Sequence, residues 1–104
     1  MPTKTVPVHL KADRYWAPTI FLFSKQRKLR EVFTTRYFDF DEETIDFNKL
    51  KKVSAPWSHS EKVMLQLALH LFNERNKFNL SDLDCLDSEN RKLAFKAIKM
   101  RFGG

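Results

Sequence analysis

Two hydrophobic periods divide the chain. In the stretch 58–73, Val63, Met64, Leu65, Leu67, Ala68, Leu69, Leu71 and Phe72 surround most of a helix's circumference, which predicts a central helix enclosed by its neighbours. Its start is marked by Ser58 and, three residues on, Glu61. At that spacing a serine and a glutamate satisfy each other's backbone donors. A last helix is predicted over 89–102, capped by Asp87 or Ser88, with Leu93, Ala94, Ala97, Ile98 and Phe102 as its apolar set and Gly103 just past its end. Between the two, Phe78, Leu80, Leu83 and Leu86 suggest a short helical turn capped by Ser81.

Upstream, Asp13 is placed to cap a helix carrying Tyr15, Trp16, Ile20, Phe21 and Phe23. Pro18 is tolerated only in a first turn, so that helix can begin as late as Ala17. Ser24 reads as a fresh N-cap for a segment with Leu29, Val32 and Phe33 at helical spacing. The period then changes from 3.6 to 2. Across 37–47, apolar and acidic residues alternate on both sides of Asp41, Glu42 and Glu43. A hairpin would put Phe38, Phe40, Ile45 and Phe47 on one face, and an irregular extended turn packed on the helices is the alternative. Asp46 or Asn48 caps a short helix through 49–52. In residues 1–12, Pro2 and Pro7 interrupt Val6, Val8 and Leu10, which reads as an extended arm, an edge strand or a loose tail. The expected fold is mainly α: one domain over 13–104, of about five helices, with the extended or hairpin element near 37–47.

Composition narrows the function more than it names it. The chain has 104 residues, a single cysteine and two glycines, Gly103 and Gly104. With Cys85 alone there is no disulfide framework and no thiolate zinc site. Without an internal glycine no phosphate-cradling loop can form, and turns fall to Asn, Asp, Ser and Pro. No apolar run is long enough to span a membrane and no signal architecture opens the chain, so a cytoplasmic location without a membrane partner is expected. Ten phenylalanines point to a core rich in rings.

From Asp13 onward, the order of features resembles a family of short uncharacterised proteins of Firmicute genomes, their phages and mobile elements. The similar elements are the aromatic first helix and Tyr37-Phe-Asp-Phe-Asp-Glu with Ile45. Trp57 follows, then a helix with Leu65, Leu67-Ala68 and Leu71-Phe-Asn73, and finally Leu83, Leu86-Asp87-Ser-Glu-Asn90, Ala94, Ala97-Ile98 and Arg101-Phe-Gly103. The resemblance implies an all-helical domain encoded by a phage or mobile element, and carries no established activity. This chain departs from it at residues 1–12, where the family opens with another helix.

Candidate chemistry is sparse. His9, His59 and His70 have no metal-binding spacing. His70 is read as a boundary histidine bonded to a backbone carbonyl, and His59 as part of the capping turn. Asp39, Asp41, Glu43 and Asp46 alternate like a calcium loop but lack its glycine, which leaves an acidic surface loop. Cys85, between Leu83 and Leu86, is read as a small buried apolar residue. No enzyme and no cofactor is expected.

Charge is the remaining signal. The formal net charge is +6. It is uneven: 37–48 holds five acids and no base, while both flanks are basic. Two binding functions follow. In the first, a small regulatory protein contacts a host protein through Phe38, Asp39, Phe40, Asp41, Glu42 and Glu43, with the arm 1–12. An exposed ring cluster edged with acids suits such contact. In the second, Lys25, Arg27, Lys28 and Arg30 and the stripe Lys92, Lys96 and Lys99 neutralise phosphates of a nucleic acid on the basic faces 25–30 and 91–101. The stretch 80–101 has a helix-turn-helix outline, although Asp84 and Asp87 would repel phosphate and its first helix is short. Burial of Phe38, Phe40 and Phe47 would remove the anchors of the first function.

Overall fold

The computed structural model describes residues 8–73 and 75–103. Six α-helices, one 3-10 helix and a two-stranded antiparallel hairpin are found among them: α1 (Val8–Lys11), α2 (Trp16–Lys25), α3 (Arg27–Glu31), β1 (Phe38–Asp39), β2 (Thr44–Ile45), α4 (Phe47–Val53), α5 (His59–Phe72), the 3-10 helix Leu80–Cys85 and α6 (Ser88–Phe102). The chain is thus mainly helical, with a short hairpin where the period-2 pattern placed one.

Local chemistry fixes most of the boundaries. Ser58 Oγ accepts from Glu61 N at 3.3 Å while Glu61 Oε1 accepts from Ser58 N at 3.0 Å, closing the capping box at the start of α5. Asp46 caps α4 through Lys49 N, and Asp87 caps α6 through Asn90 N. Asp13 Oδ1 accepts from Tyr15 N and Trp16 N, and the Asp13 carbonyl accepts from Ala17 N, so Asp13 organises the entry to α2. Pro18 falls in the first turn of α2, where its missing N–H costs nothing.

Several expectations are corrected. Val8–Lys11 is a helical turn, not an extended arm, because it buries Leu10 against α2. The rest of the proposed arm, residues 1–7, lies outside the described residues. Ser24 is inside α2. The break after Lys25 is capped by Gln26, whose Oε1 accepts from Lys28 N at 2.7 Å and Leu29 N at 2.9 Å. The 3-10 helix is capped by Asn79, not Ser81. Cys85 is exposed and Leu80 projects outward, so neither belongs to the core. Gly103 has φ −86°, outside the left-handed region; what its position requires is space, since a Cβ there would stand 2.7 Å from the Lys99 carbonyl oxygen.

The core lies where α2 packs against α5 and α6. Leu22, Phe23, Met64, Leu67, Ala68, Ala94 and Ala97 are buried there. Each large side chain withdrawn from water contributes about 1.5–3 kcal/mol before entropy is counted. Thr19, also buried, sets its hydroxyl between the carbonyls of Tyr15 (3.1 Å) and Ala68 (3.2 Å), so a polar group crosses from α2 to α5 without being left unpaired. Along α2 and α6 the partners run in opposite order. Tyr15 meets Arg101, Phe21 meets Lys96, and Gln26 Nε2 donates to Asn90 Oδ1 at 3.2 Å. The two helices are therefore antiparallel.

Candidate functional site

The hairpin sorts its side chains by sign. Phe38 pairs with Ile45 and Asp39 with Thr44. Successive residues face opposite sides, so the rings go in and the acids go out. The Phe38 ring lies edge-on to Phe23 at 4.9 Å and to Phe33 at 5.0 Å, and Phe40 lies 6.0 Å from Trp16. Phe38 is 2% exposed and Phe40 6%. Phe47 is half-buried against Phe72. This corrects the first candidate site: Phe38 and Phe40 belong to the core and cannot anchor a partner. Asp39, Asp41, Glu42 and Glu43 do remain exposed. Asp39 Oδ1 accepts from the backbone N–H of Asp41 and Glu42, both at 3.0 Å, so one carboxylate folds the tip. Glu43 takes φ +56° to close it, and its carboxylate lies 3.3 Å from His9 Nε2.

Beside the hairpin, an open cleft of about 510 Å³ is lined by Asp13, Tyr15, Trp16, Glu43, Phe47 and Phe72, among others. Its floor is aromatic, with Trp16 and Phe72 edge to face at 4.7 Å. Its two carboxylates are already engaged, Asp13 in the turn before α2 and Glu43 with His9, and the Tyr15 ring meets the guanidinium of Arg101 at 4.3 Å and of Arg14 at 5.4 Å.

The basic residues divide into two sets. Antiparallel packing brings Lys25, Arg27 and Arg30 to the start of α6. There they share a groove of about 370 Å³ with Glu61, Asp87 and Glu89. Three carboxylates among three cations leave little net field. Lys28 is set apart, 3.4 Å from Glu31 and with its ammonium 5.7 Å from the Trp57 ring. The second set is cleaner. Lys92, Lys96 and Lys99 are exposed on α6, and none of them forms an ion pair among the described residues. Lys96 lies over the Phe21 ring at 5.4 Å. Arg91, counted with this face in the sequence, has a structural role instead: its Nη2 donates to the carbonyls of Leu86 (3.0 Å) and Asp84 (3.4 Å), tying the 3-10 helix to α6. The helix-turn-helix outline thus resolves into a six-residue 3-10 helix followed by α6.

Four exposed side chains were not singled out by the sequence: Tyr15, Phe95, Met100 and Phe102 as surface residues. Phe102, expected on the apolar face of α6, is exposed. The buried positions of that helix are Ala94 and Ala97, and counting outward from these two alanines would have put Phe95 on the surface. Arg101 lies between two of these rings, 4.3 Å from Tyr15 and 4.6 Å from Phe102, and its Nη1 is covered without a hydrogen-bond partner.

The other candidate groups have local partners. His70 Nδ1–H donates to the Asn76 carbonyl at 2.8 Å, as its place near the end of α5 suggested. Among the described residues no three of His, Cys, Asp or Glu come together to hold a metal ion, and no helix is long and apolar enough to cross a membrane. Comparison with protein-family models, with curated proteins and with solved structures returns no match.

Proposed function

We propose that the protein binds nucleic acid and that the outer face of α6 is the surface that does so. The observation that carries this is the set Lys92, Lys96 and Lys99: exposed, on one side of one helix, without a carboxylate partner among the described residues. Glu89 is the only acid on that helix, against five bases. Cations left unpaired by the fold are free to displace the counterions that surround phosphates, and the entropy of those ions drives binding. Contact with a host protein through the acidic hairpin is the weaker alternative, because its rings are buried and acids alone supply no apolar anchor. The proposed role is binding rather than catalysis: Ser58 is engaged as a cap and His70 holds a loop carbonyl.

The test is the salt dependence of binding to labelled DNA. With three to four phosphates neutralised, log K should fall against log salt with a slope of about −2 to −3.5. Replacing Lys92, Lys96 and Lys99 together by Ser should flatten that slope by about 2. Replacing Lys25, Arg27 and Arg30 should flatten it less, since three carboxylates share their groove. Absence of binding at about 50 mM salt, or binding indifferent to salt, removes the proposal.

A further inference from the structure

We infer that the nucleic acid taken by α6 is single-stranded, with Phe95 and Phe102 stacking on its bases; this rests on the proposal above that α6 binds nucleic acid. Lys92, Phe95, Lys99 and Phe102 stand at i, i+3, i+7 and i+10 of one helix. At 100° per residue they fall within about 80° of arc, so cation and ring alternate along a single ridge. Phe95 is 54% exposed and Phe102 65%, while Ala94 and Ala97 make the buried contacts of the same helix. Leu93 and Ile98 flank the two alanines against the core, so α6 packs through small and mid-sized side chains while its two largest rings face solvent, against the usual preference of phenylalanine for burial. At the C-terminal end the ridge joins a further exposed ring, Tyr15, through the Arg101 guanidinium held between Tyr15 and Phe102.

The two kinds of side chain answer to different parts of a nucleic acid. Lysines meet phosphates, which duplex and single strand both display. A phenylalanine ring needs the face of a base, which a duplex hides inside its stack and a single strand offers freely. Phe95 and Phe102 are about 10.5 Å apart along the axis, which leaves room for a separate base on each. An anionic lipid surface would also attract lysines and rings, but a membrane-bound helix keeps its apolar face opposite its charged one. Here the two are interleaved on one ridge.

Fluorescence anisotropy with a labelled oligothymidylate of about 16 nucleotides and a duplex of the same length tests the inference. The single strand is expected to bind at least about tenfold tighter. Phe95→Leu and Phe102→Leu keep apolar bulk but remove the π face. Each should weaken single-strand binding about 5- to 100-fold and leave duplex binding unchanged. Phe102→Trp should retain it, whereas Lys92→Ser with Lys99→Ser should weaken both forms. Because both rings are exposed, melting curves of the leucine variants should overlay that of the parent protein. Equal affinity for both forms, with the leucine variants harmless, overturns the single-strand inference and leaves the nucleic-acid proposal standing. No binding to either form at low salt overturns both. Preference for phosphatidylserine vesicles over oligothymidylate, kept by the leucine variants, overturns the stacking role in favour of a lipid one.

Discussion

The hairpin and α6 are built from the same ingredients and end as opposites. Each interleaves phenylalanines with charge, acidic in one and basic in the other. In the hairpin Phe38, Asp39, Phe40 and Asp41 alternate with the period of an extended chain, so Phe38 and Phe40 land on the face toward Phe23, Phe33 and Trp16. On α6 the rings are seven residues apart and keep company with lysines three and four residues away, so rings and charges share a face. The hairpin therefore uses its rings to hold the fold, and α6 keeps its rings in solvent. Composition alone does not assign an aromatic residue to core or surface; its spacing relative to charge does.

The largest expected effect tests the centre on which both regions depend. Leu67 is fully buried in α5, and Leu67→Asp would leave a carboxylate with no partner there. Such a charge costs about 3–5 kcal/mol, a large share of the roughly 5–15 kcal/mol that holds a domain of this size, so the melting transition should fall steeply or be lost. A variant melting within a few degrees of the parent would mean that α5 is peripheral. Next comes the comparison itself. Phe38→Ala should cost about 3–5 kcal/mol, read as a fall in the denaturant midpoint, because it opens a cavity among packed rings. Phe95→Ala should stay within about 0.5 kcal/mol. Equal costs at the two sites would erase the distinction drawn between hairpin and helix. Smaller than the loss at Phe38 is the effect at the α5 cap. Ser58→Ala should lower stability by about 0.5–2 kcal/mol and Glu61→Ala by less, with the double variant costing less than the two singles together. Strict additivity would mean that the two groups do not act as one motif.

What the sequence revealed follows from how local each cause is. Asp46, Ser58 with Glu61, and Asp87 could be read as caps because donor and acceptor lie within three residues of each other. Ser24 misled because the break it was meant to cap is held by Gln26, an amide long enough to reach back to Lys28 and Leu29 and to be fixed at its other end by Asn90, 64 residues away. The turn at Val8–Lys11 was illegible for a related reason: four residues have little helical preference of their own, and burial of Leu10 against α2 decides the matter. The candidate site divides in the same way. The lysine stripe was visible from spacing. That Lys25, Arg27 and Arg30 face Glu61, Asp87 and Glu89 depends on how α2 and α6 cross the fold, which no local pattern records.

The antiparallel pairing of α2 with α6 also constrains the order of events during synthesis. More than sixty residues separate the end of α2 from the start of α6. At a translation rate of about 5–20 residues per second, α2 waits roughly 3 to 13 seconds for that partner. Through this interval its apolar flank, with Phe21 and Phe23, can be covered only in part, by the hairpin and then by α5. The nascent chain thus spends seconds as a partly assembled aromatic cluster.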